Sequence, residues 1–68
     1  MSISYTEQLR EVRRELAYRE RVFPRWVSER RMSARDADQR MNAMRAVAET
    51  LVPLARAEEP ELPLAAQP

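Results

Sequence analysis

Sixty-eight residues that include no glycine, cysteine or histidine, with twelve basic side chains that are all arginine against eleven acidic ones, leave room for one small domain. Without cysteine and histidine there is no disulfide framework, no thiolate or imidazole metal site, no thiol nucleophile and not the usual general base, so a non-enzymatic chain without metal or cofactor is expected. No apolar run is long enough to span a bilayer and the N-terminus lacks the basic-then-apolar pattern of a signal peptide, which predicts a cytoplasmic protein that makes no membrane contact.

The lack of glycine disfavours tight hairpin turns between strands, and the density of Ala, Arg, Glu, Leu and Met favours helix, so the expected class is all-α. Ser4 and Glu7 have the spacing of a capping box, which starts helix 1 near Tyr5. Tyr5, Leu9, Val12, Leu16 and Phe23 then recur at three- and four-residue steps, with Arg19 interrupting the apolar stripe. Pro24 removes an amide donor, while Trp26 and Val27 remain in phase, so a proline-kinked helix over about 5–29 is expected. Ser33-Ala34-Arg35-Asp36 opens a second helix over about 34–52, its carboxylates Asp36 and Asp38 complementing the helix dipole. Its apolar stripe is Ala37, Met41, Met44, Ala48 and Leu51, flanked by Val47 and Val52, and a further turn beyond Pro53 through Glu58 is compatible with the pattern. Residues 59–68 combine three prolines with little that could pack and predict a disordered tail, so that Glu58, Glu59 and Glu61 read as solvating charge rather than metal ligands. Pro60-x-x-Pro63 formally matches a polyproline ligand, but reads as an ordinary terminus.

Two such helices joined by a short link form an antiparallel hairpin over 1–58, with Leu9, Val12, Leu16 and Phe23 facing Leu51, Ala48, Met44, Met41 and Ala37. A hairpin this short buries little, and self-association into a dimeric four-helix bundle is the expected remedy, which predicts a homodimer. Arg19, at an apolar slot, is expected to find Asn42 or Asp38 across the seam.

The net charge of +1 hides an asymmetry: residues 1–35 hold nine arginines and five glutamates, while 36–68 hold three arginines and six carboxylates. Arg10, Arg14, Arg21 and Arg25 fall within about 60° of one another on helix 1, bordered by Tyr18. They form either a ridge for nucleic-acid phosphates or, with Glu7, Glu11 and Glu15 beside them, a mixed-charge solvated face, and the second reading is preferred. Val22-Phe23-Pro24-Arg25-Trp26-Val27 packs more large apolar side chains around the proline than one hairpin face can bury. Phe23, Arg25, Trp26 and Tyr18 are therefore the candidate protein-binding residues, of the types enriched at binding hot spots. Met41 and Met44 could offer an adaptable binding surface, but at core spacing read as core.

Arg19-Glu20-Arg21-Val22-Phe23-Pro24-Arg25-Trp26-Val27, followed by Arg31-Met32-Ser33, Ala37-Asp38 and Met41 with Met44-Arg45-Ala46-Val47, resembles a group of short proteins encoded by tailed phages and prophages of GC-rich proteobacteria. The likeness covers about residues 7–52, with Phe23 in place of a tyrosine and Arg30 in place of a linker glycine. The group is in turn similar to a phage quorum-sensing anti-activator, a small dimeric helical protein that binds a LuxR-type regulator and a pilus-assembly ATPase. The resemblance implies a phage- or prophage-encoded protein that binds and modulates or inhibits a host protein, such as a transcriptional regulator. A nucleic-acid-binding accessory protein using the arginine stripe is the alternative.

Overall fold

The computed structural model describes residues 2–58; the tail expected over 59–68 lies outside them. The described residues form α1 (Tyr5–Ser28) and α2 (Ala34–Glu58), packed against each other without any strand. The first amides of α1 show how closely the start is specified. Ser4 Oγ accepts from the Glu7 amide at 3.0 Å and the Ser4 carbonyl accepts from the Gln8 amide at 3.0 Å. The two remaining free amides, Tyr5 and Thr6, donate to the carboxylate of Glu58 at 2.8 Å each, and the Thr6 hydroxyl donates to it at 3.0 Å. Glu58 is thus a capping residue supplied by the far end of the other helix, in place of a solvating charge on a tail, and it places a negative charge at the positive end of the α1 dipole.

Both helices run through a proline, α1 through Pro24 and α2 through Pro53. Each ring deprives one carbonyl of its donor, that of Glu20 and that of Glu49. Both of these residues and both prolines are exposed, so water can solvate the freed oxygens and the helices continue.

The turn between the helices is built on α1 itself. The Arg31 amide donates to the Trp26 carbonyl at 2.8 Å and the Arg30 amide to the Val27 carbonyl at 3.0 Å, the paired bonds of a Schellman ending. That ending needs a left-handed residue, and Arg30 takes φ 60 where a glycine would ordinarily stand. Ser33 then caps α2, its hydroxyl accepting from the Asp36 amide at 3.0 Å and its carbonyl from the Ala37 amide at 3.0 Å.

The core lies in two clusters along the seam. At the turn end, Val22 and Phe23 pack with Ala37 and Met41, supported by Leu16, Trp26, Val27 and Met32. At the open end, Leu9 packs with Leu51 and Ala55, supported by Val12, Ala48 and Val52. Tyr5, expected in the stripe, is exposed because it lies where the partner helix ends, and Val47 likewise faces solvent. Ala55 joins the core one step beyond the stripe read from the sequence, which the continuation past Pro53 makes available.

Between the clusters Arg19 reaches across the seam, with its side chain 22% exposed. Its Nη1 donates to the Arg40 carbonyl at 3.1 Å and its Nε to Glu15 Oε2 at 3.3 Å. The expected partners Asp38 and Asn42 are not used: each lies two residues from Arg40 and so about 160° around α2, on the other flank. Asn42 Oδ1 instead accepts from Arg45 Nη1 at 3.4 Å.

Two predictions follow from the helix ends. A non-glycine residue at positive φ costs about 1–2 kcal/mol, while glycine adds about 0.5–1 kcal/mol of unfolded-state entropy, so Arg30→Gly is expected to stabilise the chain by roughly 0.5–1 kcal/mol. Arg30→Val should destabilise it, and urea unfolding of the pair checks the sign. The amides of Tyr5 and Thr6 hold the Glu58 carboxyl below its ordinary value of 4.5. The stabilisation is fully present above that value and is lost as pH falls through the lowered native one, because the unfolded chain takes up the proton first. Glu58→Gln should lower the unfolding midpoint at neutral pH and flatten its acid-side decline, measured between about pH 6 and about pH 3.

Candidate protein-binding site

The turn end of the hairpin carries a cluster of three aromatic rings and three guanidinium groups. It is positioned by the helical repeat: Tyr18, Val22 and Trp26 are spaced by four and climb one flank of α1. Trp26 is the hub. Its ring meets Phe23 with centroids 5.8 Å apart and planes inclined by 35°, and meets Tyr18 edge-on at 6.4 Å and 77°. Arg31 stands over the Trp26 ring at 5.3 Å, Arg21 over Tyr18 at 5.6 Å and Arg19 over Phe23 at 5.6 Å. The Arg31 contact follows from the turn, since the Schellman ending brings the second residue past the helix end back over the Trp26 turn, a place usually filled by an apolar contact.

The four residues expected to bind protein part company in the structure. Phe23 is buried at 6% exposure against Ala37 and Met41, so its ring supports the tryptophan from below and is withdrawn from any partner. Trp26 is half-buried and Tyr18 is 43% exposed, and these two present an aromatic edge to solvent. Arg25 is exposed, about 100° around α1 from Trp26. Val22, grouped in the sequence with the candidate surface, is buried beneath the same flank.

Arg10, Arg14, Arg21 and Arg25 are all exposed on the side of α1 away from α2. Arg14 pairs with Glu11 at 3.4 Å with both side chains well solvated, and Arg21 lies on Tyr18. No ion pair to Arg10 or Arg25 occurs among the described residues. On the other flank of the seam a shallow groove of about 490 Å³ runs past Phe23, Pro24, Val27, Ala34 and Met41, its walls carrying Arg19 and Arg45 but also Glu20 and Asp38. Its mixed charge favours neither an anionic nor a cationic ligand. No group of three His, Cys, Asp or Glu residues able to hold a metal ion occurs among the described residues, and none of the helices there is long and apolar enough to cross a membrane.

Two residues that shape the hairpin, one at each end, are not legible as such in the sequence. Arg31 lies outside the helix-1 periodicity and is brought to Trp26 only by the turn. Glu58 reads as a terminal charge until α2 is known to reach it.

Removing the half-buried indole should cost about half of a core tryptophan, so Trp26→Ala is expected to lower stability by about 2 kcal/mol, and Arg31→Ala by about 0.5–1 kcal/mol. Urea unfolding followed by far-ultraviolet circular dichroism checks both values. Comparison of the chain with protein-family models, with curated proteins and with solved structures returned no match.

Proposed function

We propose that this chain is a non-enzymatic protein that acts by binding another protein, with Trp26 and Tyr18 as the anchor and Arg21, Arg25 and Arg31 around it. The observation that carries the reading is the aromatic edge itself. Two large rings are held in fixed geometry by Phe23 beneath and guanidinium groups beside them, yet stay partly open to solvent. Rigid Trp and Tyr side chains lose little conformational entropy on binding, and with Arg they are the residue types that dominate binding energy at interfaces. In line with the resemblance to phage-encoded helical hairpins, the partner is a host protein such as a LuxR-type transcriptional regulator, met in the host cytoplasm, and the effect is to modulate or inhibit it.

A second reading, nucleic-acid binding, is favoured by one observation, the four exposed arginines on the outer side of α1. The carboxylate of Glu11 and the ring of Tyr18 already occupy two of them.

Salt separates the two. Phosphate neutralisation by several arginines gives affinity that falls steeply with salt, whereas an aromatic anchor is nearly indifferent to it. In a pull-down from host lysate at low and high salt with nuclease, the wild-type chain is expected to retain a stoichiometric protein under all conditions. Tyr18→Ala, which removes an exposed ring at little cost to the fold, and Trp26→Ala should both lose it. Retention abolished by nuclease, and by Arg10→Glu/Arg14→Glu/Arg21→Glu but not by Tyr18→Ala, would transfer the function to the arginine face.

A further inference from the structure

At the open end of the hairpin a second groove, of about 410 Å³, lies along the seam on the same flank as the one beside Phe23 and Pro24. Its floor is apolar, formed by the buried Leu9 and Ala55 and the half-buried Val52, while the exposed side chains of Arg10, Arg13 and Arg56 stand around it. No carboxylate among the described residues lines it. That sets it apart from the groove at the turn end, which mixes Arg19 and Arg45 with Glu20 and Asp38, and from the hollow beside Tyr18, which mixes Arg14 and Arg21 with Glu11 and Glu15. No ion pair to Arg10, Arg13 or Arg56 occurs among the described residues, and Glu49, on the same flank of α2 one turn before Val52, forms none with them. Three positive charges around an apolar floor suit a ligand that is both anionic and apolar, since a bare anion would leave the floor uncovered.

The chain leaves α2 beside this groove. Glu58, the last residue of the helix, is held by the amides of Tyr5 and Thr6, and Thr6 itself lines the groove. The sequence that follows is Glu59-Pro60-Glu61-Leu62-Pro63-Leu64. We propose that this segment occupies the groove, with Leu62 and Leu64 over Val52 and the floor and with Glu59 and Glu61 toward the three arginines.

The segment has the required chemistry in the required order. In extended backbone, residues two apart share a side, so Leu62 and Leu64 face one way and Glu59 and Glu61 the other. Pro60 and Pro63 restrict themselves and the residues before them to extended conformations, which lowers the entropy lost on docking. Six residues beyond Glu58 span up to about 20 Å, whereas Thr6 and Arg13 are about 10 Å apart along α1, so the segment can turn back and still reach the far end. Attachment beside the groove gives an effective concentration on the order of millimolar, at which weak contacts suffice. Read alone, the segment has little to pack against; the groove supplies it. Docking also engages Arg10 with the chain's own carboxylates, and it leaves Trp26 and Tyr18, on the opposite flank, open.

Because the chain has no cysteine, a nitroxide on Ala65→Cys is a single reporter. In isotope-labelled protein it is expected to broaden the nuclear magnetic resonance signals of the Val52 methyls and Arg13 Nε–H, and to leave sharp the methyls of Val47 and Leu54 on the opposite flank. Equal broadening on both flanks, or none on either, would overturn the inference. A mixture of isotope-labelled cysteine-free chain with unlabelled, nitroxide-bearing chain should show no broadening; loss of the Val52 signals there would assign the groove to the same segment of a second copy and sink contact within the chain. Glu59→Gln/Glu61→Gln, beyond the end of α2, should lower the ratio of docked to free segment about fivefold, the effect of removing two exposed ion pairs. Unchanged broadening in that variant would refute the arginine contacts. All of these signals are read on the isolated protein, so the result stands apart from the binding function proposed above.

Discussion

The hairpin depends on a reversal of direction made in five residues without a glycine. Arg30 adopts the left-handed conformation that lets the last amides of α1 turn back onto the carbonyls of Trp26 and Val27. Everything at that end follows from this one backbone state. It fixes the angle at which α2 departs, brings Ala37 and Met41 over Phe23, and returns Arg31 to the face of Trp26. The cost of a left-handed arginine is therefore offset by a cation–π contact and by the first cluster of the core.

Along the seam the apolar contact is divided. Arg19 stands where a continuous stripe would have another leucine, and its guanidinium is satisfied by a backbone carbonyl on one side and a carboxylate on the other. A side chain that must reach one particular carbonyl tolerates no sliding of the helices, whereas smooth apolar stripes of Ala, Met and Leu would tolerate a shift by a turn. Arg19 thus contributes alignment more than stability, in the manner of isolated polar groups in helical seams.

Much of this was legible in the sequence because it is local. Ser4 and Ser33 announce the helix starts, and the stripes that run through Leu9 and Phe23 and through Met41 and Leu51 announce the faces that meet. What could not be read depends on the tertiary arrangement. Phe23 looks as eligible for the surface as Trp26, and only the approach of Ala37 and Met41 decides between them. The partner of Arg19 was sought among polar side chains on α2, but the flank it reaches presents a backbone oxygen, which composition does not advertise. In the sequence Pro53 leaves the end of α2 open between about residue 52 and Glu58, so that Ala55 stays outside the stripe and Glu58 reads as solvating charge; the helix continues because its freed carbonyl faces water. The aromatic edge of Tyr18 and Trp26 was visible as a concentration of residues, but its orientation came from Arg31 and the turn.

The carboxylate of Glu58 on the amides of Tyr5 and Thr6 joins residues more than fifty positions apart in sequence. Helix termini ordinarily fray separately, each losing its last turn with little consequence for the rest. Here the last residue of one helix is the cap of the other, so neither end can loosen without releasing its counterpart. Fraying becomes a single concerted opening of the molecule's free end, and amide exchange in the first turn of α1 is tied to exchange in the last turn of α2.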